Sequence, residues 1–311
     1  MKKKSLYGSD LKEQLLASKN DRLYNYIMDD GHIRCAIVNC TRMVNEMRSN
    51  FDLGILETLI AGQAYIAAAL LTATLKGNDR IAVKVDCSGP LKGFTVESNA
   101  FGEVRGFIKN QSIELDKPLD SFNLSKFFGA GFISVTKYLE DAKQPYTGQV
   151  MLDYGDIAND LANYFHQSEQ TPTAFNLSVS FDKDGNVKGA GGLFIQAMPG
   201  ADEDSINKLE DKIKNFPSIG KAFETSSYPD AIINKAFGLL KPKQLADYRV
   251  EFFCRCNEDK IGSMVGMLPI EELKDISENG PFPLEISCHN CNTSYSYSKE
   301  LIEQIYRKRS N

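Results

Sequence analysis

Apolar residues alternate with polar ones at Ile81, Val83, Val85 and Cys87, with Lys84 and Asp86 between them and a Gly89-Pro90 turn after them. That period of two predicts a half-buried strand. The same alternation at Phe175, Leu177, Val179 and Phe181, then Asp184-Gly185 and the run from Val187 to Ile195, predicts a β-hairpin. Between them, Ile157, Leu161, Tyr164 and Phe165 form an i, i+4, i+7, i+8 stripe behind Asp156, an amphipathic helix with its N-cap. The longest apolar stretch, Leu59 to Leu75, is rich in alanine and interrupted by Gln63, Thr72 and Thr74. It reads as a buried helix and not as a bilayer span. Hairpins with interspersed helices favour an α+β domain over a doubly wound parallel sheet, and no strand runs into a Gly-rich phosphate turn. Residues 1–200 are expected to form this N-terminal domain.

The pattern changes in 201–253, which holds nine Asp/Glu, eight Lys/Arg and the breakers Pro217, Gly220, Pro229 and Pro242. Ile206, Leu209 and Ile213 mark one short helix, and Ile232, Ile233, Ala236, Phe237 and Leu240 mark another. Helices this short need something to pack on, so the segment reads either as a helical linker or as an ordinary helical subdomain. The last stretch, 254–311, is too small for a large core and is the kind of lobe that a metal or a disulfide folds.

Composition narrows the classes. The 311 residues allow one large domain and a smaller one, and 42% hydrophobic with 25% charged residues is ordinary for a soluble protein. A net charge of −5 disfavours nucleic acid and anionic membranes as partners. The opening Met1-Lys2-Lys3-Lys4-Ser5 is basic, but no apolar run of signal-peptide length follows, so a cytosolic location is expected. In that compartment seven cysteines point to metal ligands, redox groups or buried filler before structural disulfides.

Four of the seven form two close pairs, Cys254-Arg255-Cys256 and Cys288-His289-Asn290-Cys291, with 31 residues between them (288 − 256 − 1). Two such pairs supply the four soft ligands of a tetrahedral zinc site, with one Zn2+ per chain. Ligated thiolates are nucleophilic, so an oxidant that attacks them also removes the metal that folds the lobe. Spacing alone leaves a passive zinc ribbon and a redox switch equally open. His289 is a further candidate ligand, and Cys288-Cys291 a candidate exchange pair, although no βαβ context surrounds it. A catalytic zinc is poorly supported with only His32, His166 and His289 in the chain. A nucleic-acid ribbon fails on charge, since 254–311 carries seven Lys/Arg against nine Asp/Glu. Cys35, Cys40 and Cys87 read as buried filler, and Arg105 and His166 as structural.

The two pairs, their spacer and the following Tyr295 resemble the C-terminal signature of the heat shock protein 33 family, the redox-regulated bacterial 33 kDa chaperonins. Upstream, Leu70 to Lys76, Gly89-Pro90, Val104-Arg105-Gly106, Tyr164 to Thr173, Ala190-Gly191-Gly192 and Gln196 to Pro199 resemble the same family in the same order. The resemblance implies a compact α+β domain, a metastable helical linker and a zinc-bound C-terminal lobe. It further implies a non-enzymatic holdase, inactive when reduced and zinc-loaded. On oxidation, disulfides Cys254–Cys256 and Cys288–Cys291 would form, zinc would leave, and a homodimer would bind unfolded or oxidatively damaged client proteins. The chain departs from the family pattern at His289, where an acidic residue is common, at Asn292, where Gly often follows the last cysteine, and at Asn257-Glu258, where Ser-Arg is frequent. Its stretch before Gly31 is longer than the family norm. From other classes, a constitutive binding module with a purely structural zinc and a thiol oxidoreductase remain as competing functions.

Overall fold

The computed structural model describes residues 1–4, 21–115, 123–201, 209, 212–213, 216–225 and 228–310. Helix α1 (Thr41–Phe51) leads into helix α2 (Ile55–Leu71), of which every residue except Ile55 and Gln63 is buried. A helix apolar on all sides must be covered on all sides. Two sheets do this, and α2 lies between them. The stretch Ile55–Thr74 has the length and hydropathy of a membrane span, but 89% of its window is buried inside the protein. It is a core helix, as the polar interruptions predict: the Thr72 hydroxyl donates back to the Ala69 carbonyl at 2.6 Å and the Thr74 hydroxyl to Leu71 at 2.8 Å.

One sheet has five antiparallel strands in the order β10-β1-β2-β9-β8: β1 (Arg22–Met28), β2 (Ile33–Asn39), β8 (Thr173–Phe181), β9 (Val187–Ala197) and β10 (Lys243–Arg249). The other has six strands in the order β11-β5-β4-β3-β6-β7: β3 (Arg80–Cys87), β4 (Gly93–Asn99), β5 (Glu103–Ile108), β6 (Gly131–Tyr138), β7 (Tyr146–Met151) and β11 (Glu251–Phe252). Only β11 pairs in parallel, with β5. The expected strand at Ile81–Cys87 is β3, and the expected hairpin is β8–β9, turned at Gly185 with φ +77°. The fold is α+β.

Helix α3 (Ile157–Glu169) buries the expected stripe, and the Asp156 carboxylate caps it by accepting from the Asn159 N–H at 2.9 Å. One turn on, the fully buried Asp160 accepts the N–H groups of Asp153, Tyr154 and Asp156 at 2.9–3.0 Å.

Segment 201–253 matches its helical reading only in part. Leu209 and Ile213 are helical and buried, whereas Ile206 lies outside the described residues. Helices α4 (Ile219–Glu224) and α5 (Pro229–Phe237) follow. The helical expectation fails at Lys243–Arg249, which is strand β10, and at Glu251–Phe252, which is β11. Strand β10 is an almost wholly exposed edge strand, so no apolar alternation marks it. Its conformation comes from pairing with β1 across the chain, Arg22 opposite Arg249, supported by the Arg22–Asp247 ion pair.

Helices α4 and α5 cover the outer face of the five-stranded sheet, where Ile219, Phe223, Ile233 and Phe237 join Tyr26, Met28, Ile33, Cys35, Ile37, Leu193 and Ile195 in a second apolar cluster. Three glycines of β9, at 189, 191 and 192, make close approach possible on both of its faces. A Cβ at Gly189 would lie 2.0 Å from the Gly220 carbonyl oxygen of α4, and one at Gly191 would meet the Phe223 ring at 2.5 Å. One at Gly192, on the opposite face, would meet Ile66 of α2 at 2.6 Å. The Ala190-Gly191-Gly192 motif is therefore where α4 and α2 approach β9 from its two sides.

The C-terminal stretch holds α6 (Glu258–Val265), α7 (Ile270–Asn279), α8 (Lys299–Ser310) and the hairpin β12 (Leu284–Ser287) with β13 (Ser294–Tyr297).

Three carboxylates, the half-buried Asp156 and the buried Asp160 and Asp21, yield testable expectations. Asp156→Ala should cost about 1 kcal/mol in urea denaturation, the usual worth of an N-cap. Asp160→Ala should cost more, because three N–H groups lose their acceptor. Asp21, 2% exposed, accepts from the Arg42 and Met43 N–H groups at the start of α1 (3.1 and 2.6 Å). Burial pushes its carboxyl up from 3.8 to about 7, against the lowering pull of those N–H groups. Across that window the folded protein keeps a proton that the unfolded chain has released, so stability falls as pH rises. Asp21→Asn should flatten this slope in denaturation midpoints measured between pH 4 and 7.

Candidate metal centre

The first cysteine pair is carried out of β11, whose exit is pinned by the Phe253 N–H on the Val104 carbonyl at 3.0 Å. The second pair sits in the turn between β12 and β13. There the Cys291 and Asn292 N–H groups bond back to the Cys288 carbonyl at 3.2 and 2.7 Å, and the Cys288 N–H bonds to Thr293 at 2.9 Å. Asn292 takes φ +54°, the left-handed conformation that Gly and Asn adopt most readily. Asparagine in place of glycine thus satisfies the same turn, and its Nδ2 adds a bond to the Asn50 carbonyl at 2.9 Å.

These two turns bring Cys254, Cys256, Cys288 and Cys291 together with all four sulfurs within 4.8 Å of one another. Cys254 and Cys288 are 3.8 Å apart and Cys256 and Cys291 3.4 Å. A tetrahedron with zinc–sulfur arms of about 2.3 Å has edges of about 3.8 Å, so the set fits a four-thiolate zinc. All seven cysteines are free thiols. Cys254, Cys256 and Cys291 are buried and Cys288 is half-buried, facing a pocket of about 510 Å³ also lined by Arg105, Lys260, Met264 and His289.

Negative charge is stabilised at this cluster. Hydrogen bonds from the Cys288 and Cys291 thiols hold Cys254 far below the usual thiol range, with help from the Cys256 N–H and Arg105. Giving up that bond pushes Cys288 up to about 11, and Cys291 is raised by its bonds to Cys254 and Cys288. Cys254, Cys288 and Cys291 are linked by these bonds, so negative charge settles first on Cys254. The Tyr295 hydroxyl donates to the Cys256 sulfur at 3.1 Å, and Thr293 Oγ1 lies 3.3 Å from the Cys291 sulfur. Such partners orient metal ligands and offset their charge.

His289 is not in the cluster; its ring stands edge-on to Phe107 at 5.5 Å. Cys35 and Cys40 are fully buried in different apolar clusters, and Cys87 is half-buried, in keeping with filler roles. Arg105 departs from its purely structural reading. Its guanidinium bridges Glu97 at 2.8 Å and the Cys254 sulfur at 3.7 Å. Asn50 was also not singled out by sequence, yet its Nδ2 donates to the Cys291 carbonyl at 2.8 Å. Neither residue carries a local signal, since each reaches the site only through the packing of β5 or α1.

The cluster is docked on the N-terminal sheet. Arg255 makes a two-pronged pair with Glu103 of β5 at 2.7 and 2.9 Å, and the Gly106 N–H donates to the Asn290 carbonyl at 3.1 Å.

Comparison with known proteins agrees with this architecture. The family model described as Hsp33 protein matches residues 21–298. The chain is 32% identical to the 33 kDa chaperonin of Geobacillus sp. (strain WCH70), covering 92% of this chain and 97% of the relative. It is 34% identical to the 33 kDa chaperonin of Enterococcus faecalis, over 91% and 95% of the two chains. The crystal structure of the 33 kDa chaperonin, or heat shock protein 33 homolog, of Thermotoga maritima superposes with a TM-score of 0.84 at 32% identity, covering 94% of this chain and 99% of that one. Matched by the family model over most of its length and by relatives that it covers almost end to end, the chain belongs to the Hsp33 family.

Proposed function

We propose that this chain is a cytoplasmic holdase switched on by oxidation, in which residues 254–311 form the zinc-binding redox lobe, 201–253 the displaceable linker and 1–200 the client-binding core. The observation that carries the reading is the convergence of four largely buried thiols from two chain segments on one point. Zinc bound by Cys254, Cys256, Cys288 and Cys291 would hold the four sulfurs as thiolates and close the lobe around them.

Two molecules of peroxide would oxidise the four thiols to the disulfides Cys254–Cys256 and Cys288–Cys291. Each pair of thiolates gives up two electrons as its disulfide forms, and each peroxide takes up those two electrons with two protons from solvent and becomes two waters. The pocket beside Cys254 and the half-buried Cys288 offers a small oxidant its way in. Pairing the sulfurs removes every zinc ligand at once, and the lobe loses the interaction that folds it. Strands β10 and β11 join the lobe to the linker helices, so its unfolding pulls on α4 and α5. The apolar sheet face that these helices cover, Tyr26, Ile33, Ile37, Leu193 and Ile195 among it, would then hold an unfolding client without chemical change. A homodimer of the oxidised form would enlarge that surface.

The test is light scattering from a heat-unfolding client. Peroxide-treated protein should suppress it and the reduced protein should not, with four thiols lost per zinc released. Identical behaviour of the two forms would sink the proposal. If Cys288→Ser and Cys291→Ser unfold the lobe with no gain of client binding, zinc is only a fold staple. Turnover of a disulfide substrate would instead favour the oxidoreductase reading.

A second test bypasses the oxidant. Gly189→Ala places a methyl group 2.0 Å from the Gly220 carbonyl oxygen and should push α4 off the sheet. The reduced variant should bind an apolar dye and suppress aggregation; an inert variant would argue against the linker as the displaced cover.

A further inference from the structure

Lys2, Lys3 and Lys4 lie outside the span 21–298 matched by the Hsp33 family model, yet with Met1 they are packed against the cysteine cluster. The Met1 thioether accepts the Cys254 N–H at 2.9 Å. The Lys2 N–H donates to Thr293 Oγ1 at 3.1 Å, beside the Cys291 sulfur. Asn50 of α1 ties the same segment to the second cysteine pair: its Nδ2 donates to the carbonyls of Lys2 (3.3 Å) and Cys291 (2.8 Å), and its Oδ1 accepts the Lys4 N–H at 3.0 Å. Lys3 pairs with Glu46 of α1 at 2.6 Å, approaches Glu251 of β11 to 3.8 Å and lies over the Phe252 ring.

From these contacts we infer that residues 1–4 are a strap that clamps both cysteine pairs onto the N-terminal domain and slows their separation. The pairs enter from distant segments, one after β11 and one between β12 and β13, and the strap touches both and α1 at once. Its central charge pair is well placed to matter, because the Glu46 side chain is only 6% exposed and solvent screens it poorly. A carboxylate in place of Lys3 would face Glu46 and Glu251 together. Lys4 is the natural control, since its residue is exposed and its bond to Asn50 is made by the backbone.

The inference rests on the zinc reading of the four thiols, and one experiment separates the two. Zinc content and the rate of zinc transfer to a chromogenic chelator would be measured on the full-length reduced protein, on Lys3→Glu, Lys3→Arg and Lys4→Glu, and on a chain lacking Lys2–Lys4. Lys3→Glu and the shortened chain should release zinc about tenfold faster, the lower end of what losing a partner of a metal ligand costs. Lys3→Arg and Lys4→Glu should stay close to the unsubstituted protein. With one zinc per chain, equal rates in all five proteins overturn the strap and leave the zinc site standing. Lys4→Glu as fast as Lys3→Glu also overturns it, the effect then being one of net charge. If the unsubstituted protein holds no zinc, the zinc reading falls, and the strap is judged by how fast the four thiols react with an aromatic disulfide in the same five proteins. Equal rates there overturn it as well.

Discussion

The C-terminal lobe depends on one constraint: four sulfurs from two distant segments must stay within a few ångströms of one another. Like charges on thiolates repel, and a small lobe has little apolar area with which to oppose them. The protein surrounds the cluster with donors and a cation, the Tyr295 hydroxyl, backbone N–H groups and Arg105, which lower the cost of gathering negative charge there. A soft divalent cation would complete that balance, and the four sulfurs fit zinc in both chemistry and spacing.

Because the first cysteine pair issues from β11, the state of the cluster is mechanically linked to both sheets. Strand β10 pairs at the edge of one sheet and β11 at the edge of the other, so the chain between α5 and the first cysteine pair crosses from sheet to sheet within a few residues. Strand β10, with its side chains almost all exposed, is held mainly by backbone hydrogen bonds and is among the easier elements to release, whereas β11 is anchored by the buried Phe252. The helices upstream rest on an apolar face and are admitted to it by the absent side chains of Gly189, Gly191 and Gly220. A cover docked by close backbone approach at glycines, with Ile219, Phe223, Ile233 and Phe237 buried beneath it, forms a good contact in one arrangement and a poor one in any other. Such a contact suits a two-state device.

Much of this was legible in the sequence wherever burial follows a local period. Strand β3, the β8–β9 hairpin, the Asp156-capped helix and the polar-interrupted core helix all bury the residues that the pattern nominates. The four cysteines were legible because two close thiol pairs are a ready set of soft metal ligands whatever the surrounding fold. Strand β10 was not legible, since an exposed edge strand has no apolar side to announce it. Arg105, Asn50 and Lys3 were not either, because each meets the cysteines across 149 residues or more, or through a third residue.

The sequence by itself determined the α+β class, the core-forming elements and the identity of the four thiols that act together, since periodicity and residue chemistry are written locally. Only the tertiary structure decided that these thiols share one point, which cation and donors stand around them, and that segment 201–253 ends in strands belonging to two different sheets. Those facts depend on pairings between residues far apart in the chain, and no local pattern encodes the partner of an edge strand or of a surface charge.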